Sequence, residues 1–274
     1  MVWILLMMTG LLAGILGSLM GLGGGIIVVP ALMVYSGIHE FFSHVTPQTA
    51  VGTSLLIMIF TGLSSTLAYM KQKKIDYVAG AVFFIGSGPG ALTGVWLNKG
   101  METEPFLVWF GIFMIFMSFI LIVRNRLPAM KAPKKGIRRT YIDAEGDEKE
   151  YGFQPITGVL TAFVVGMCSG LFGIGGGSLM VPVMILLFSF PPHTAVATSM
   201  FLVLLSALTS SVSHIALGNV EWLYALALIP GAWFGAKIGA AVNQRLKSNT
   251  LVLILRIFLV IIGIRLIWQG VTGT

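Results

Sequence analysis

The stretch GLGGGIIVVP at residues 21–30 returns as GIGGGSLMVP at residues 173–182, each time with a proline five residues after the last of three consecutive glycines. A triple glycine lets the backbone take dihedrals that other residues resist and come close to a second surface. Inside a membrane, backbone that leaves the helix must pair its N–H and C=O groups within the protein or line a wet cavity. Whether this chain lives in lipid therefore decides how the motif is read.

Composition answers that. Of 274 residues, 56% are hydrophobic and only 10% charged, where soluble domains carry about 25% charged residues. Apolar runs of roughly 20 residues, enough to span hydrocarbon as helix, lie near 2–20, 49–70, 77–97, 105–123, 155–172, 195–215, 222–242 and 250–268. Two shorter runs, 26–37 and 178–190, follow the glycine breaks. A closed barrel would instead show alternating strands of roughly ten residues. The expected fold class is an all-α polytopic membrane protein with about eight long hydrophobic helices and two short broken or re-entrant ones. The first run lacks a basic flank and a small-x-small cleavage site, and its tail AGILGSLMGLGGG is mirrored by VGMCSGLFGIGGG, which assigns it to the mature fold. A single cysteine, Cys168, excludes an internal disulfide and a four-cysteine metal site. The net charge of +7 does not point to nucleic acid, because eight of the 17 basic residues lie between Arg124 and Lys149 and most others sit at span ends. That is the distribution of topology determinants.

Further motifs recur in the same order. PQTAVGTS at 47–54 matches PHTAVATS at 192–199, PGALTG at 89–94 matches PGAWFG at 230–235, and Asp76-Tyr77 matches Glu221-Trp222. The chain is internally duplicated, with expected regions 1–123 (first transmembrane repeat), 124–153 (charged cytoplasmic connector, read as a solvated linker) and 154–274 (second repeat). Lys71, Lys73 and Lys74 end one span and the basic 124–139 stretch follows two spans later, so both fall on one side. Arg245 and Lys247 join them there only if the second half is inverted relative to the first. A straight helix over 2–36 would be roughly 52 Å long at 1.5 Å per residue, too long for one crossing, so a reversal at Gly21–Gly25 is expected. Inverted repeats, with both termini extracytoplasmic, follow from these two points.

Pro30 and Pro182 suit the first turn of a resumed helix, where a missing N–H is no loss. Free N–H groups and the dipole at such a start favour an anion, and paired broken helices in corresponding places of two halves point to a transporter's central site. Gly23, Gly24, Gly25, Gly175, Gly176 and Gly177 are thus expected to form two facing halves of one substrate site. Close helix packing by small residues is the plainer alternative. Thr49 and Thr53 share a helix face, as do Thr194 and Thr198, and Ser54 and Ser199 lie beside them; their hydroxyls could donate to an anion or bond back to the i−4 carbonyl. Gly86, Gly90 and Gly94, and Gly231, Gly235 and Gly239, recur every four residues and read as packing ridges.

No Asp or Glu falls deep in a span, so carboxylate-coupled pumping lacks its usual parts. His193, beside a helix start, and Arg256, about two turns into the last helix, could join an anion site; an interfacial histidine and a snorkelling arginine are the alternatives. Lys237 and Arg265 read as snorkelling. No metal-ligand spacing is present, and no cofactor is implied. A site of neutral donors would hold an anion loosely enough to release it, and an inside-negative potential contributes about 2.3 kcal/mol per charge per 100 mV toward anion exit. That favours export.

These residues resemble the sulfite exporter TauE/SafE family of membrane permeases. The likeness covers nearly the whole chain: GLGGGIIVVP with TPQTAVGTS, GIGGGSLMVP with HTAVATS, IDYVAGAV, VEWLYALALIPGAWFGAKIGA and LRIFLVIIGIRLI. It implies transport of sulfite, sulfoacetate or a related organosulfonate across a bacterial-type inner membrane, with substrate and direction varying among members. The acidic part of the connector has no match in that pattern. An anion channel is the competing transport reading. An intramembrane enzyme is the other class, but Ser54 and Ser199 lack an evident base and buried aspartates are absent. The expected partners are a small anionic substrate and the lipid bilayer, not nucleic acid; a homodimer is compatible with all of this.

Overall fold

A computed structural model of the chain describes residues 2–123, 136–142, 148–243 and 249–272. The basic residues expected to orient the second half, Arg245 and Lys247, lie outside the described residues, as do Arg124 to Lys135 and the acidic 143–147. The elements run α1 (Val2–Met20), α2 (Gly25–Ser36), α3 (Pro47–Lys71), α4 (Tyr77–Lys99), α5 (Thr103–Val123), β1 (Ile137–Ile142), β2 (Glu148–Phe153), α6 (Pro155–Phe172), α7 (Gly177–Leu187), α8 (Pro192–Ala216), α9 (Trp222–Val242) and α10 (Asn249–Thr272). Among the described residues seven helices are long and apolar enough to cross a membrane, while α2 and α7 are apolar but only 12 and 11 residues long. The protein is an all-α multi-pass membrane protein, as its composition requires.

Local chemistry sets the helix starts. The Thr46 hydroxyl and the Thr49 hydroxyl cap each other's backbone at the head of α3, and Pro47, Pro155 and Pro192 open α3, α6 and α8. The Asp76 carboxylate caps α4 through the Ala79 N–H at 3.1 Å. At the first glycine break the chain does reverse. Tyr35, near the end of α2, hydrogen-bonds Thr9 of α1 at 2.9 Å, so α2 runs back along α1. Pro30 and Pro182 do not sit in a first helical turn. Each is the sixth residue of its short helix, because the glycines themselves restart the helix: Gly24, at φ 92, serves as the N-cap of α2.

The innermost spans are α3 and α8, which pack on each other. Around them α1 lies on α9, α4 on α6, and α5 on α10. Under the duplication, α1–α9 and α6–α4 are equivalent contacts, each joining a helix of one half to a helix of the other. The glycine ridges make them. A Cβ at Gly86, Gly90 or Gly94 would strike the carbonyl oxygens of Val159, Phe163 or Met167, and one at Gly231, Gly235 or Gly239 those of Met7, Leu11 or Ile15. Backbones approach this closely only where there is no side chain between them.

Helix directions follow from cross-half bonds. Thr53, near the start of α3, accepts the Glu221 N–H at the start of α9. Thr198, near the start of α8, accepts the Asp76 N–H, which lies just beyond the far end of α3. The two central helices therefore begin at opposite ends of the bundle.

The connector is more than a linker. Residues 137–142 and 148–153 pair as an antiparallel hairpin, Ile137 opposite Phe153 and Arg139 opposite Tyr151. Phe153 and Tyr151 are buried, Phe153 against Phe83 at 4.6 Å and Tyr151 against Phe190 at 4.5 Å. The Gly152 N–H donates to the Phe188 carbonyl, fixing the hairpin to the chain between α7 and α8.

The ridges yield a direct test. Gly90→Val should cost about 1–3 kcal/mol by overpacking, while Gly100→Ala, where an added Cβ meets nothing within 4 Å, should stay within about 0.5 kcal/mol. Thermal unfolding in detergent reads both; equal effects would remove the ridge interpretation.

Candidate functional site

The two breaks meet. Gly21, Gly23 and Gly24 have φ of 75, 77 and 92, and Gly173 and Gly175 have φ of 66 and 76, values at which a Cβ clashes with its own backbone. The α-carbon of Gly25 lies against the Gly173 carbonyl, and that of Gly177 against the Gly21 carbonyl. Each contact joins one half of the chain to the other. The carbonyls freed by the breaks are satisfied in the same reciprocal way: the Ser54 hydroxyl donates to Gly173 O at 2.9 Å, and the Ser199 hydroxyl to Gly21 O at 2.6 Å. Asn98 and Asn243 repeat the pattern one turn away, donating to Leu171 O at 2.9 Å and Leu19 O at 2.6 Å.

The space between the breaks is filled. Met58 and Val203, near the middle of α3 and α8, would be struck by a Cβ at Gly23 or Gly175, and both are fully buried. They occupy equivalent places, each one turn beyond the serine that ties a break. The sequence offered a signal for them that motif matching passed over: residues four apart share a face, so the side chain after Ser54 and Ser199 on that face had to point the same way.

The structure divides the expected site residues into three groups. Gly23–Gly25, Gly175–Gly177, Ser54 and Ser199 converge at the breaks. Thr53 and Thr198 are fully buried and adjacent in sequence to those serines, but their hydroxyls turn to opposite corners. Each accepts a backbone N–H, from Glu221 at the start of α9 and Asp76 at the start of α4 respectively, and no acceptor for either hydroxyl proton is present among the described residues. Thr49 and Thr194 lie elsewhere. Thr49 belongs to the N-terminal cap of α3, and Thr194 lines a cavity at the opposite end of the bundle. Sharing a face does not bring residues to one depth, since four residues along a helix is about 6 Å. His193 is exposed and pairs with Asn243 at 2.9 Å. Arg256 lies on α10, whose main packing partner is α5, and its carbonyl accepts from Ser118. Among the described residues no group of three or more His, Cys, Asp or Glu could hold a metal ion.

Comparison with known proteins agrees with this architecture. The family model "Sulfite exporter TauE/SafE" matches residues 6–266. The chain belongs to the TauE/SafE family. "Probable membrane transporter protein YunE" of Bacillus subtilis (strain 168) is 55% identical to it over 271 residues, covering 99% of each chain. "Probable membrane transporter protein MJ0441" of Methanocaldococcus jannaschii is 27% identical, over 95% of this chain and 93% of its own length. "Sulfite exporter TauE/SafE family protein 6" of Arabidopsis thaliana is 31% identical over 107 residues, 38% of this chain and 24% of the relative. No solved structure matches. The protein is accordingly a membrane transporter of the TauE/SafE family and not an enzyme.

This TauE/SafE transporter carries a second polar assembly that sequence reading did not find. Asp76 caps α4 and is almost fully enclosed; its carboxylate accepts from the Arg139 guanidinium at 2.8 Å and from the Tyr151 hydroxyl at 3.2 Å. Burial, reinforced by the Asp76 charge, pushes the Tyr151 phenol well above its usual range, so it stays a donor at physiological pH. Both partners come from the hairpin. The signal was weak because Arg139 and Tyr151 sit in a charged stretch whose strand alternation is short. On the equivalent corner of the other half, Glu221 faces His44 at 3.7 Å and Tyr224 bonds the Phe41 carbonyl at 2.7 Å.

Removing a tie should expose a buried acceptor. Ser199→Ala is expected to destabilise the fold by about 1–3 kcal/mol, with Ser54→Ala similar and Ser199→Thr milder. Denaturant or thermal unfolding in detergent measures this, and no loss in either alanine variant would mean that water already serves those carbonyls.

Proposed function

We propose that the protein is a secondary carrier that exports a small sulfur-containing oxyanion, such as sulfite, sulfoacetate or a related organosulfonate, across the inner membrane by alternating access. The observation that carries this reading is the contact between the two glycine breaks near the middle of α3 and α8. Two interrupted helices from corresponding places in two halves, meeting at mid-depth, are the arrangement from which such carriers build a site. The opposite starting ends of α3 and α8 favour inverted repeats, in which each half can open toward one face in turn. The sulfur chemistry rests on the family's name.

In this reading the structure is a closed state. Met58 and Val203 fill the gap between the breaks, and loading requires them to swing aside, with Thr53 and Thr198, each one residue from a serine that holds a break, supplying hydroxyls to the anion. Those hydroxyls are neutral, already buried, and keep a proton to donate. They bind an anion without neutralising it permanently, which suits release. With carboxylates absent from the span interiors, the membrane potential supplies the driving force for an anion leaving a negative interior.

Reconstituted protein should show saturable sulfite or sulfoacetate flux and trans-stimulated counter-flow. Thr53→Val combined with Thr198→Val should lower that flux by on the order of tenfold or more, while the Thr→Ser pair retains it and both elute as folded protein. Flux that is linear in concentration and lacks counter-flow would replace the carrier by a channel.

A further inference from the structure

The end of the bundle that carries the hairpin holds a cavity of about 280 Å³ lined by Lys73, Lys74, Asp76, Arg139, Tyr151 and Thr194, among others. Asp76 is committed to Arg139 and Tyr151, so three cations face one carboxylate already in use. Neither Lys73 nor Lys74 has an ion-pair partner among the described residues. The backbone adds to this sign, because α4 and α8 both present their N-terminal turns to the cavity through Tyr77, Val78 and Thr194. A volume just below the usual range for drug-sized ligands suits a small hydrated anion.

Lys73 also sits in strain. Its φ is 54, a left-handed conformation that non-glycine residues adopt rarely. The register that lays Thr53 on Thr198 and Asp76 on Glu221 lays Lys73 on Gly218 and Lys74 on Asn219. Gly218 has φ 73, so the turn itself demands positive φ and the other half meets it with the residue that fits. Here the same turn carries a lysine, and a strained residue in such a place is a pointer to function. The opposite mouth, built from Gly218, Asn219, His44 and Glu221, has no lysine or arginine in those positions. The two ends of an otherwise duplicated carrier are thus electrically different.

The geometry points to a loading vestibule for the transported oxyanion at this end, in which Lys73, Lys74 and Thr194 collect the anion ahead of the central breaks. This rests on the carrier reading above. With the orientation expected from the basic residues of the sequence, that face is cytoplasmic and the vestibule concentrates substrate on the side from which the proposed export draws.

The test uses the full chain with Lys73→Gln and Lys74→Gln combined, both on side chains that reach solvent, and Lys237→Gln as a control cation outside the cavity. For sulfite offered from the hairpin face at low salt, the double variant should raise the apparent KM about tenfold with an unchanged saturated rate. The difference should shrink at high salt, and from the opposite face the saturated rate should fall by the same factor at an unchanged KM, as the fixed equilibrium between the two faces requires. A double variant indistinguishable from the Lys237→Gln control overturns the vestibule while leaving the carrier intact. Wild-type vesicles without saturable flux overturn the carrier reading instead. A thermal-shift titration with sulfite and sulfoacetate then decides the vestibule alone: it stands if the anions stabilise the wild type and not the double variant, and falls if they stabilise both or neither.

Discussion

Backbone that leaves the helix in the middle of a membrane has no water to turn to, and each unpaired group there costs several kcal/mol. This chain meets that constraint twice by reciprocity: Ser54 serves the carbonyl of Gly173, and Ser199 that of Gly21. The N–H groups of Gly21, Gly23 and Gly173 pair within their own half, but these two carbonyls take their side-chain donors from the other. The exchange obliges α3 and α8 to lie side by side, and the same exchange recurs in the outer layer. There, glycine ridges draw α1 onto α9 and α4 onto α6 until backbone meets backbone. The halves are interlocked at every depth, which gives a reason for the duplication to be kept in register.

Near-symmetry at the centre contrasts with asymmetry at the ends. Around the breaks, paired residues do equivalent jobs: Ser54 and Ser199, Met58 and Val203, Thr53 and Thr198. At the mouths, Asp76 is clamped by Arg139 and Tyr151 of the hairpin, whereas Glu221 faces only a half-exposed His44 at 3.7 Å. Each mouth has its own added element: the hairpin at the Asp76 corner, and at the Glu221 corner the short helical turn Glu40–Phe42, whose Phe41 carbonyl holds Tyr224.

Much of the fold was legible. Long apolar runs, the doubled glycine tract and the four-residue glycine spacing each report a backbone requirement directly, and each lies where it was expected. The parts that were not legible depend on depth or on distant partners. Pro30 and Pro182 entered helices already restarted by glycine, because local φ freedom acts before a proline five residues on. Thr49 and Thr194 share a face with Thr53 and Thr198 but not their depth, and they went to a cap and a mouth. The hairpin was hidden because Phe153, Tyr151 and Tyr141 alternate over too few residues to outweigh the charges around them. Its stability comes from Phe83, Phe188 and Phe190, which no local window contains.

One consequence of neighbouring residues ties these parts together. Ser54 and Thr53 are adjacent on a rigid helix; the first holds the opposite break and the second holds the start of α9 beside the Glu221 corner. Ser199 and Thr198 do the same for the first break and for the Asp76 corner at the start of α4. A helix turn is stiff over a single residue, so α3 cannot rotate away from Gly173 without also shifting against Glu221. Nor can α8 leave Gly21 without disturbing the backbone of the residue that the hairpin clamps. Motion at the centre and the electrostatic state of each mouth are therefore mechanically linked through one peptide unit on each side, and the link needs no longer pathway than that.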